Sequence, residues 1–171
     1  PYLRATGRRH PKLAARLEAL ADRTAATGLA LVHGDVSPKN IMAGPQGPVF
    51  LDGECAWHGD PAFDLAFCLN HLLLKCLAVP DAAAGFLVAF DELRDAYLAG
   101  VAWESPAALE ARAAALLPGL FLARVDGKSP VEYVSGDEQR DRVRRVAVPL
   151  VEWPPETLAA VRDVWTVEVG V

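Results

Sequence analysis

The stretch from Leu31 to Asp52, LVHGDVSPKNIMAGPQGPVFLD, leaves the backbone few choices. Ile41–Met42–Ala43 and Pro48 to Asp52 flank the turn residues Gly44–Pro45–Gln46–Gly47. Pro45 presets its own φ and Gly47 tolerates a positive one, so the run reads as strand, turn, strand. A hairpin there sets Asn40 and Asp52 side by side at its open end. Upstream, Leu29 to Val32 is too short and too apolar for another helical turn and reads as a buried strand. Gly34 and Pro38 then make His33 to Asn40 a loop. Asp35 stands 5 positions before Asn40, and Asp52 12 after it. Two acids and an amide thus fall on one loop-and-hairpin unit.

That trio suits a divalent cation and a chain of phosphates. Phosphoryl transfer requires an oriented acceptor hydroxyl, a group to take its proton, and neutralisation of the phosphate charge by Mg²⁺. Mg²⁺ prefers oxygen ligands and takes one or two carboxylates together with phosphate oxygens. On this reading Asp35 accepts the acceptor's proton, while Asn40 and Asp52 hold the metal.

The rest of the chain reads as a helical scaffold. Pro11 suits a first helical turn, Leu13, Leu17 and Leu20 share one face, and Gly28 ends a helix running from His10 to about Thr27. Gly53, Gly59 and Pro61 make residues 53–61 an irregular loop. Phe63 to Ala78 is apolar nearly all round, as in a buried central helix. Further helices are expected at about Asp81–Leu98, Ser105–Ala123, Gly136–Val151 and Pro155–Val169. The fold class is therefore α+β, mostly helical, one domain over residues 1–171 with a small β-hairpin set into it. With 52% apolar residues in 171, such a domain can bury a substantial core.

Charge and cysteine usage exclude some function classes. A net charge of −5 gives no electrostatic footprint for nucleic acid. Arg140, Arg142, Arg144 and Arg145 interleave with Asp137, Glu138 and Asp141, as on a solvated helix face. No signal-peptide pattern is present, and Lys75 interrupts the longest uncharged apolar run, so no membrane partner is expected. Cys55, Cys68 and Cys76 lack metal-ligand spacing, which fits a reducing, cytoplasmic setting.

HGDVSPKN followed by LDGECAWHGDPAFDLA resembles the aminoglycoside phosphotransferase and choline kinase-like family, relatives of protein kinases that phosphorylate small molecules. The resemblance covers roughly residues 10 to 125. It implies a protein-kinase-like C-terminal lobe, with Asp35 as catalytic base and Asn40 and Asp52 as metal ligands. His33 is implied as a loop-positioning residue, and Asp60 and Asp64 as acids bracing the loop from the next helix. It further implies Mg²⁺, ATP or GTP as donor, and a small-molecule hydroxyl acceptor such as an aminoglycoside or amino alcohol. Gly53 departs from the pattern, which has an aromatic or apolar residue there. Ser37 replaces the lysine of protein kinases, in favour of a small-molecule acceptor.

The residues themselves leave roles open around this centre. His33 reads as structural, holding the loop through its imidazole. Glu54 either adds to the metal site or faces solvent. Arg124 and Asp126, with Lys128, form a charged loop and are candidate substrate contacts, because the family builds its acceptor pocket from C-terminal helices. The family's nucleotide-binding lobe, with a phosphate-covering loop and a strand lysine, is not recognisable before the catalytic loop. The chain begins at Pro1 without an initiator methionine, so the expectation is a C-terminal lobe, inactive without that partner. The rival expectation is a non-catalytic half-kinase acting as a binding module, its uncovered face closed by self-association. A metal-dependent hydrolase is a weaker third, since no base for activating water is apparent.

Overall fold

The computed structural model describes residues 2–171, and the chain is mostly helical with two small antiparallel sheets. β1 (Ala30–Val32) pairs with β4 (Trp57–Gly59) in the register Ala30↔Gly59, Leu31↔His58, Val32↔Trp57. β2 (Ile41–Gly44) pairs with β3 (Gly47–Phe50) in the register Ile41↔Phe50 through Gly44↔Gly47. The second ladder is nested inside the first along the chain. The two segments between the ladders, 33–40 and 51–56, are therefore held against each other from both ends. The tight turn rests on Gly47, whose φ of +116° is a conformation open to glycine.

The helices are α1 (Tyr2–Arg9), α2 (Ala14–Ala26), α3 (Pro61–Ala78), α4 (Ala83–Gly100), α5 (Pro106–Asp126), α6 (Asp137–Glu152) and α7 (Leu158–Val169). α3 starts where Asp60 accepts the Ala62 N–H at 3.0 Å and Pro61 occupies the first turn. Its all-round apolarity is explained by its neighbours α4, α5, α7 and β1. Leu65, Leu69 and Leu73 of α3 pack with Leu117, Phe121 and Trp165 in one continuous core. The Trp165 indole N–H donates to the Leu73 carbonyl at 3.0 Å, and its ring meets Phe121 edge-on. α3 and α5 are long and apolar enough to cross a membrane, but 78% and 67% of their most apolar windows are buried within the fold. They are its core helices.

Four expectations need correction. The strand at 29–32 is present but not buried: Leu31 is 80% exposed and only Val32 is enclosed. Residues 53–61 are not wholly irregular, since a 3₁₀ turn at Gly53–Cys55 leads into β4. The N-terminal helix is divided, α1 turning through Pro11–Leu13 into α2. The last helix starts at Leu158 rather than Pro155, capped by the Thr157 hydroxyl accepting from Ala160 N–H.

Candidate active site

The loop after β1 is shaped by hydrogen bonds to its backbone. Asp64, one turn into α3, accepts from the His33 N–H at 2.6 Å and the Gly34 N–H at 2.9 Å. One carboxylate thereby fixes the two peptide groups leading into Asp35. His33 Nε2 donates to the Leu51 carbonyl at 2.9 Å, which ties this loop to the segment after the hairpin. With that proton on Nε2, Nδ1 accepts from the Asp35 N–H at 3.3 Å. Gly34 has φ +83°, and a Cβ there would lie 2.5 Å from Trp57 Cζ3 and 2.6 Å from the Cys55 carbonyl. The loop can pack on the Cys55–Trp57 segment only if residue 34 is glycine.

Asn40 is buried and turns back on Asp35, donating through Nδ2 to its backbone carbonyl at 3.0 Å and its Oδ2 at 2.9 Å. Lys39 Nζ approaches the same Oδ2 at 3.6 Å, mostly in solvent. Asp35 is thus held by its own loop, with a quarter of its side chain exposed. Across the hairpin mouth, the Leu51 N–H donates to the Asn40 carbonyl at 2.8 Å, which places Asp52 one residue beyond the last cross-strand bond. Asp52 has φ +63°, the one non-glycine residue with positive φ among those described. A residue of this type tolerates that conformation at some cost, and such strain gathers at functional positions.

The donor set fits Mg²⁺. Because Nδ2 is committed to Asp35, Asn40 presents Oδ1 as a hard oxygen, and exposed Asp52 supplies a carboxylate. Among the described residues no three of His, Cys, Asp and Glu gather as a metal-binding group. An amide and one carboxylate leave the remaining octahedral positions to phosphate oxygens and water.

The other candidate residues sort differently. Asp60 does not brace the loop: it is 2% exposed, caps α3, and is clamped by Arg112 through Nε at 3.1 Å and Nη2 at 3.1 Å. Arg112 also binds Glu104. Asp126 does not face the site. It is buried at the end of α5 and joined to Arg144 at 2.6 Å and His10 at 2.7 Å. Burial works to raise its carboxyl, but the bonds from Arg144 and His10 outweigh this and hold it below the usual value. Glu54 lies exposed on the 3₁₀ turn just after Asp52. Arg124 is half-buried, its guanidinium 5.8 Å over the Tyr2 ring and 5.6 Å over Phe67. Sequence reading missed Arg112, although a lone arginine inside the apolar run ALEARAAALL signals a buried partner.

A family profile described as Phosphotransferase enzyme family (APH) matches residues 1–116, two thirds of the chain. The chain belongs to this phosphotransferase family. The matched span includes both ladders, Asp35, Asn40, Asp52 and Asp64, and stops within α5. Phosphotransferase activity is the general activity of the family. Arg124, Asp126 and the helices α6 and α7 lie beyond the matched residues. No curated protein matches the chain.

Proposed function

We propose that the chain supplies the catalytic and metal-binding half of a small-molecule kinase, a protein-kinase-like C-terminal lobe that moves the γ-phosphoryl group of ATP or GTP to a hydroxyl. The observation that carries this reading is the Asn40 amide bridging the carbonyl and carboxylate of Asp35. It orients the carboxylate as a base and turns Oδ1 toward a cation.

The acceptor hydroxyl donates its proton to Asp35 as its oxygen forms the new bond to phosphorus, and the nucleoside diphosphate leaves with the electrons of the broken P–O bond. Mg²⁺ held by Asn40 and Asp52 supplies charge neutralisation for the donor phosphates. His33 and Asp64 touch no reacting atom; they position Asp35 through the loop backbone. The donor's base and the phosphate-covering elements are taken to lie on a partner lobe. The reading places the protein in the cytoplasm, where its three free cysteines stay reduced, without a nucleic-acid or membrane partner.

Replacing Asp52 by Ala in the full natural protein tests it. The Mg²⁺ concentration for half-maximal turnover is expected to rise by roughly tenfold or more. An unchanged Mg²⁺ requirement rules Asp52 out as a ligand.

A second reading rests on the outer faces of the ladders. Leu29, Leu31, Met42, Val49 and Phe50 are all about half exposed or more. Apolar surface of this kind marks an interaction face. On this reading the chain is a non-catalytic module that self-associates through the ladders. Concentration-dependent light scattering, lost in Leu31→Ser/Phe50→Ser, is its expected signature.

A further inference from the structure

A cleft of about 590 Å³ opens beside the catalytic loop, within the size range of small-molecule sites. Gly34, the residue before Asp35, lines it, and so do Cys55 and Trp57, a few residues past Asp52. Consecutive Cα atoms are about 3.8 Å apart, so the backbone of the proposed base starts at the edge of the cleft. A body seated here touches both segments that carry the site.

The lining is apolar and rich in rings. Trp57 and Phe63 meet edge-on with centroids 5.3 Å apart, and neither is closed off: Phe63 is half-buried and Trp57 is 37% exposed. Tyr2 adds a third, half-buried ring. Leu116 and Leu120, one turn apart on α5, are buried beneath the cleft surface. Ala21 and Ala25, one turn apart on α2, leave room that longer side chains would fill.

Charge in the lining is already paired or kept in water. Among the described residues no Asp or Glu lines the cleft. Arg4 does, but its Nε donates to Glu18 at 2.6 Å and its Nη2 to Asp22 at 2.6 Å. Held by two acids, Arg4 has little charge to offer an anion, and the two acids in turn are committed to Arg4. Lys128, the other lining cation, is exposed and stays hydrated. A charged group entering the cleft would lose water without gaining a buried partner, which is costly.

Resting on the phosphotransferase reading, we infer that the acceptor is an uncharged hydroxyl compound whose apolar, ring-sized body seats in this cleft against Trp57, Phe63 and Tyr2, with its hydroxyl directed to Asp35. The rings supply apolar area and edge contacts as water is expelled. The net charge of −5 is no guide to this ligand, because none of the acids that produce it lines the cleft. An aminoglycoside's ammonium groups would find no carboxylate there.

Calorimetric titration of the 171-residue chain tests this without requiring transfer, so it and the catalytic reading can fail separately. The probes share one ring system and differ in charge: 2-naphthalenemethanol, 2-naphthylmethylammonium and 2-naphthoate, with kanamycin as a polycation lacking an apolar ring. The alcohol is expected to bind roughly tenfold tighter than either ion, and kanamycin not at all. Cys55 is the one exposed cysteine and lines the cleft, so bound alcohol should slow its alkylation by iodoacetamide severalfold, read by mass spectrometry. Ala25→Phe places a ring in the cleft from an exposed helix position and is expected to abolish binding. An ion bound as tightly as the alcohol, no binding of the alcohol, unchanged Cys55 alkylation at saturation, or affinity untouched in folded Ala25→Phe overturns the inference. In the full natural protein, transfer to kanamycin but not to the alcohol also overturns it, whereas transfer to neither faults the catalytic reading.

Discussion

Asp64→Ala is the perturbation that asks most of the scaffold. Its carboxylate accepts the His33 and Gly34 N–H groups at 2.6 and 2.9 Å. Hydrogen bonds to a charged partner contribute about 1.5–3 kcal/mol each. Two give about 3–6 kcal/mol; partial exposure lets water replace some of this, leaving ~2–4 kcal/mol. In a chain of this size about 1 kcal/mol lowers the melting temperature by about 2–4 °C, so a fall of ~5–15 °C is expected. Thermal unfolding followed by circular dichroism measures it. Asp64→Asn keeps one acceptor and turns an NH₂ toward the other donor, so it should recover no more than half the loss. Turnover should fall further than stability accounts for, because the peptide groups leading into Asp35 lose their anchor. An Ala variant that melts with the parent and keeps full turnover refutes the positioning role.

Further outcomes follow from the same contacts. Gly34→Ala places a methyl against Trp57 and the Cys55 carbonyl at positive φ, and should cost ~2–4 kcal/mol; Gly53→Ala, with open space around it, should be near neutral in the same melt. Arg112→Met strands the buried Asp60 carboxylate and should cost about 3–5 kcal/mol in chemical denaturation. His71 titrates near 3 when folded against an ordinary 6.5, so between those values the unfolded chain alone binds the proton. Stability therefore falls as pH drops below 6.5, by ~2 kcal/mol at pH 5, and His71→Gln should flatten that slope in melts at pH 5 and 6.5.

What could be read in the sequence is whatever is encoded locally. The hairpin was legible because Pro45 and Gly47 punctuate it, and Gly47 does adopt positive φ. The long helices were legible from apolar periodicity, with ends displaced by caps such as Asp60 and Thr157. β4 was not, because three residues pair with a segment far upstream and carry no periodicity of their own. The exposure of Leu31 was hidden for a related reason: an apolar run shows that a face seeks cover, without showing whether this chain supplies it. Around Asp35 the spacing to Asn40 pointed to their meeting, and the amide does bond Asp35. Partners from distant helices were invisible. Arg112 meets Asp60 across 52 positions, and Arg144 with His10 removes Asp126 from the candidate site.

The central claim is that Asp35, oriented by Asn40, takes the acceptor's proton during phosphoryl transfer. Single-turnover transfer from γ-labelled ATP in the full natural protein, comparing Asp35 with Asp35→Asn, tests it most directly. The variant keeps a carbonyl oxygen for Asn40, so the fold and acceptor binding should persist, while the transfer rate should fall by about 10²–10⁴-fold. A folded Asp35→Asn protein that transfers phosphate at the parent rate contradicts the account.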